Sequence, residues 1–121
     1  MQSVSVYRRQ QKTVSPEALI IVPTRELVMQ VYEEARKLTR GSVVKPAVLY
    51  GGTNPYHQAR DLGNGCNILV ATVGRLLDFV SKGIVSIRKI KLLVLDEADK
   101  LLDASGNFSR IELLLPSAWR R

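Results

Sequence analysis

The chain has 121 residues, of which 45% are hydrophobic, enough for one folded domain with an ordinary core and no more. Its 18 Lys plus Arg against 11 Asp plus Glu leave a formal net charge of +7, which points to polyanionic partners without specifying a fold. A single cysteine, Cys66, excludes an internal disulfide, and no apolar run approaches the roughly 18 residues of a membrane span.

Residues 1–16 are polar, with Arg8, Arg9 and Lys12 and no apolar h-region, so they read as a basic, flexible or partly ordered arm rather than a secretory signal. Residues 17–121 form the candidate domain. Its first strand is Ala18-Leu19-Ile20-Ile21-Val22, ended by Pro23, which cannot donate to a ladder. From Thr24 the period turns helical. Leu27, Val31, Ala35 and Leu38 fall on one face, Glu33 and Lys37 make an i,i+4 pair, and Gly41 suits the stop. The turn between them sets a hydroxyl, a guanidinium and free N–H groups (Thr24, Arg25) at a helix N-terminus, an arrangement suited to an anion. A threonine cap beside a surface arginine is the simpler account of the same residues.

Ala47-Val48-Leu49-Tyr50 is the second strand, followed by Gly51-Gly52, which suits either an ordinary loop or the close approach of a ligand backbone. Asn54 and Pro55 open a short helix running through Gln58 and Leu62 to Gly63, and His57 on it has no metal partners and no assigned role. Asn67 to Ala71 is the third strand. Thr72 then caps a helix whose first turn carries Gly74 and Arg75 and whose apolar side is Leu76, Leu77 and Val80. The fourth strand, Lys91 to Leu95, reads as buried on both faces and delivers Asp96, Glu97 and Asp99 at its carboxyl end. Acids there suit either a hydrated magnesium ion beside phosphates or an ordinary acidic first helical turn. A short amphipathic segment with Ile111, Leu114 and Leu115 follows. Alternating strands and helices predict an α/β fold with a parallel sheet.

Four stretches together resemble the DEAD-box RNA helicases. Pro23-Thr24-Arg25-Glu26-Leu27 with Gln30 is similar to motif Ia, and Gly51-Gly52 to the GG motif. Thr72-Val73-Gly74-Arg75 resembles motif Ib with valine for the usual proline, and Asp96-Glu97-Ala98-Asp99 resembles the Walker B tetrad. They stand in family order, and the local wording is most similar to the Vasa and Ded-type branch. Ser117-Ala118 is not read as motif III, because Trp119 replaces its threonine and Asp99 is too near.

The resemblance implies an incomplete RecA-like, P-loop NTPase-type sheet with flanking helices, part of a first helicase domain. It implies RNA as partner, gripped through its backbone by Pro23, Thr24, Arg25, Gly51, Gly52, Thr72, Gly74 and Arg75. ATP and Mg²⁺ are the implied cofactors: Asp96 holds the metal, Asp96 and Glu97 serve the nucleotide and the hydrolytic water, and Asp99 links that site to a second RecA-like domain. The implied setting is cytoplasmic, with the nucleus and ribonucleoprotein granules as alternatives. No G-x-x-x-x-G-K-[ST] occurs, nor any Gly-Lys pair, so the P-loop strand and its phosphate cradle are missing from these residues. Two expectations follow: weak or no ATP hydrolysis by this chain alone, and unpaired sheet edges. A non-catalytic RNA-binding or regulatory fragment is the alternative.

Overall fold

The computed structural model describes residues 13–97 and 107–116. Four short strands form one parallel sheet: β1 (Ala18–Ile21), β2 (Pro46–Leu49), β3 (Ile68–Ala71) and β4 (Leu92–Leu95), in the spatial order β2-β3-β1-β4. The helices are α1 (Arg25–Thr39), α2 (Pro55–Leu62), α3 (Val73–Ser81) and α4 (Asn107–Glu112). Parallel neighbours require crossovers, and helices fill them. The chain moves outward from β1 to β2 through α1, then back through α2 and α3 to β3 and β4. Reversing direction while keeping the hand of the crossover sends the later helices to the opposite face of the sheet.

Two apolar layers result. On one face Leu19, Ile21, Leu49, Leu69 and Ala71 pack with Leu76 and Phe79 of α3 and with Phe108 and Ile111 of α4. On the other, Val28 of α1 meets Val22 and Val70, with Ile20, Val31 and Val48 around them. The face of α1 is rotated from the expected stripe: Val28 and Ala35 are buried, and Leu38 is 86% exposed. A helix of 15 residues spans about 22 Å and a strand of four about 13 Å, so its last turns overrun the sheet. The expected Glu33–Lys37 pair is replaced by Glu33 with Arg36 at 3.4 Å and Glu34 with Lys37 at 3.5 Å, all exposed and worth little.

β4 departs from expectation. Leu93 and Leu95 pack against the main core, but Leu92 is 57% exposed and Val94 39%. The cause is position: β4 is an outer strand, and α1 lies over the far side of the sheet, above β2 and β3.

Within the arm expected at residues 1–16, the described part belongs to the fold. Val14 makes a parallel bridge to Val85, its N–H donating to the Ile84 carbonyl at 2.9 Å, and Pro16 is buried. Cys66 is also buried, donates to the Ile68 carbonyl at 3.3 Å, and has its thiol pushed up to about 12 by that burial. Among the described residues no helix is long and apolar enough to cross a membrane.

Candidate functional site

The four strands end flush. Leu49 stands opposite Ala71, Ala71 opposite Ile21, and Ile21 opposite Leu95. One residue further on, a row of backbone bonds runs across the sheet: Thr72 N–H to Leu49 at 2.9 Å, Val22 N–H to Ala71 at 3.0 Å, Asp96 N–H to Ile21 at 3.0 Å. Every segment of chemical interest therefore leaves the same edge, side by side. With strands about 4.8 Å apart the rim runs about 15 Å. Its order is the glycine pair after β2, Thr72 to Arg75 after β3, Pro23 to Arg25 after β1, then the acids after β4. Carboxyl ends of strands with helices departing to opposite faces are where open α/β sheets bind ligands.

After β1, Thr24 caps α1, accepting from the Leu27 N–H at 3.2 Å, and Arg25 is exposed with its guanidinium 4.9 Å from the Tyr50 ring centre. After β2, Asn54 caps α2 through the Tyr56 N–H at 2.9 Å, with Pro55 at the first position. Gly52 has φ +81, which a residue with a Cβ adopts only with strain. Gly51 and Gly74 differ. Neither has positive φ, and a Cβ on either would meet nothing within 4 Å, so nothing among the described residues requires a glycine there. What their bareness leaves open is access to the backbone from outside.

After β3, Thr72 holds the cap position of α3 with extended backbone, but its side chain makes no capping hydrogen bond, contrary to expectation. Its carbonyl accepts from Leu76 at 3.1 Å. Arg75 does not simply project into solvent. Its guanidinium donates to Gln58 Oε1 at 3.3 Å and to the Thr53 carbonyl at 2.9 Å, and lies 5.9 Å from the Phe79 ring centre. After β4, Asp96 and Glu97 are both exposed, and Glu97 has φ 53, the one non-glycine among the described residues with positive φ. Such strain concentrates at functional positions. Asp99 lies outside the described residues.

Sequence reading passed over Gln58. It is 5% exposed, and its amide bonds the backbone of Tyr50 twice, accepting from N–H at 3.2 Å and donating to C=O at 3.1 Å. The available signal was its place in the inward stripe of α2, one helical turn before Leu62, where an apolar residue would be expected.

Exposed carboxylates at a strand end are hard oxygen donors of the kind magnesium takes, one or two at a time, with water and phosphate as the remainder. Among the described residues no group of three or more metal-ligating side chains stands together. The cleft of about 440 Å³ lined by Tyr32, Arg36, Lys45 and Asp61 is elsewhere, at the amino ends of β2 and β3.

The DEAD/DEAH box helicase family model matches residues 2–117. The chain belongs to that family. It is 50% identical over 103 residues to the probable ATP-dependent RNA helicase DDX4 of Pelophylax lessonae, covering 85% of this chain and 14% of that protein. It is 52% identical over 92 residues to the probable ATP-dependent RNA helicase ddx3 of Dictyostelium discoideum, covering 76% and 13%. The crystal structure of the yeast DEAD-box splicing factor Prp28 superposes with a TM-score of 0.77 at 36% identity, covering 88% of this chain and 26% of that one. The sheet and its helices thus match part of a RecA-like domain, and the chain spans about one-seventh of the length of these curated relatives.

Proposed function

We propose that this chain is the RNA-gripping and metal-side part of an ATP-dependent RNA helicase. The observation that carries the reading is the flush rim: three turns with hydroxyls, bare glycines and guanidiniums stand in one line with the exposed Asp96 and Glu97. A sugar–phosphate strand along it meets backbone N–H groups and the Thr24 and Thr72 hydroxyls, lies close to Gly51, Gly52 and Gly74 where side chains are absent, and is neutralised by Arg25, while Arg75 stands beside it with its terminal nitrogens on Gln58 and Thr53. Pro23 sets the entry of its turn. Such contacts position a strand without reading bases.

Asp96 is the residue that would hold Mg²⁺, and Glu97 the one that would orient or deprotonate a water; Asp99 would connect that site to a second RecA-like domain. Bound ATP–Mg²⁺ supplies the phosphoryl chemistry. The nucleotide's phosphates need a cradle that these 121 residues lack, so turnover and local duplex separation belong to a longer protein. That protein works where RNA is handled, in the cytoplasm, nucleus or ribonucleoprotein granules.

The missing Gly-Lys pair favours a second reading for the chain as it stands, a non-catalytic RNA-binding module. RNA-stimulated ATPase activity separates the two. The enzyme reading expects turnover in a protein extended upstream through a Gly-Lys-Thr segment, abolished by Glu97→Gln, with no turnover by the present chain. No gain on extension leaves only the binding module.

A further inference from the structure

We infer that Gln58 is a positioning residue of the rim, holding the Tyr50–Asn54 loop through Tyr50 and Arg75, and that the Arg75 guanidinium serves this clamp and not a phosphate. The inference rests on the RNA reading of the same turns. Its basis is a closed set of contacts. β2 is an outer strand, and Tyr50, just past its end, depends on something other than a neighbouring strand for its backbone bonds. The Gln58 amide supplies them in pairs, accepting from the Tyr50 N–H at 3.2 Å and donating to its carbonyl at 3.1 Å, as a strand would. The same Oε1 accepts from Arg75 at 3.3 Å, and the other arm of Arg75 reaches the Thr53 carbonyl at 2.9 Å. The loop carrying Gly51 and Gly52 is thus fastened at both ends, at Tyr50 and at Thr53, and its fastening stands on α2 and α3. Arg75 is only half-buried, but both terminal nitrogens already have acceptors within the chain, Gln58 Oε1 and the Thr53 carbonyl. A planar fork suits two fixed acceptors, and an ammonium reaches one of them at a time.

The experiment uses the whole chain with a fluorescein-labelled ten-nucleotide oligouridylate, binding read against salt, and amide exchange at Tyr50 read without RNA. Gln58→Met removes the amide at similar volume, and Arg75→Lys keeps the charge but loses the fork. Each is expected to weaken binding about tenfold. The double variant should be no weaker than either single, as for residues acting through one contact. Arg75→Met, which removes the charge, should leave the slope of log affinity against log salt unchanged, and Tyr50 exchange should quicken in Gln58→Met. A double variant losing about a hundredfold, a slope reduced by about 0.7 in Arg75→Met, or unaltered Tyr50 exchange would overturn the inference. Arg75→Lys lies on the partly exposed side of α3 and tests the clamp even where Gln58→Met does not fold. No salt-dependent binding by the unsubstituted chain defeats the RNA reading itself, and the inference with it; normal binding with unaffected variants defeats the inference alone.

Discussion

The Arg25 guanidinium lies 4.9 Å from the centre of the Tyr50 ring, although their turns leave β1 and β2, strands separated by β3. The contact bridges the sheet edge and presents the cation at a fixed place on the rim. Arg25→Ala is expected to lower the salt slope for single-stranded RNA by about 0.7, one phosphate contact. Tyr50→Leu should keep that slope and reduce affinity by less than tenfold, since an exposed cation–π pair contributes about 0.5–1 kcal/mol. Titration at several salt concentrations checks both.

The glycines of the rim should separate into two kinds. Gly74→Ala meets no atom within 4 Å and sits in the first turn of α3, so thermal stability should hold or rise by up to about 1 kcal/mol while RNA affinity falls. Gly52→Ala forces a Cβ onto φ +81 and should cost about 1–2 kcal/mol of stability. Melting curves beside binding curves distinguish them.

Glu97 holds φ 53, where a Cβ is strained and glycine is not. Glu97→Gly in a longer, ATP-hydrolysing protein should remove turnover while stability is unchanged or about 1 kcal/mol higher. Denaturant melts with an ATPase assay give both readouts.

The Cys66 thiol, at about 12, should resist iodoacetamide at pH 8 in the folded chain and react on unfolding. The pH dependence has a definite sign. The unfolded thiol loses its proton near 9.0 and the folded one near 12, so above pH 9 the unfolded state binds fewer protons and stability falls, by up to about 1.4 kcal/mol per pH unit. Cys66→Ala should flatten that fall in denaturant titrations between pH 9 and 11.

Leu92→Lys with Val94→Lys places charge on the exposed side of β4. Stability should change by no more than about 0.5 kcal/mol per site, and soluble yield should rise. Leu19→Ala on the packed side of β1 should cost about 2–5 kcal/mol. Urea melts set the two against each other.

The apolar runs at Ala18, Ala47, Ile68 and Leu92 made the strands legible, and the hydroxyls, glycines and prolines after them made the turns legible, because both signals are local. What escaped depends on partners distant in sequence. Four apolar residues in β4 say nothing of whether a helix covers them, and Leu92 lies bare because α1 sits over the other end of the sheet. Arg75 read as a free cation because its acceptor on Thr53 is 22 residues away. Gln58 looked like an ordinary helix residue until Tyr50 and Arg75 were beside it. The family resemblance named the rim's residues in advance, but not the Thr72 side chain leaving its cap unmade.

The register of β1 also governs how the chain is made. Both its partners, β3 and β4, are far downstream; Leu93, opposite Leu19, is synthesised only after 73 intervening residues. At about 5–20 residues per second, Ala18 to Ile21 emerge from the ribosome several seconds before their second neighbour exists. During that interval β1, an inner strand of the finished sheet, has an open side. Newborn chains should accordingly engage chaperones that hold extended apolar segments, and arrest before Leu95 should leave a nascent chain sensitive to protease.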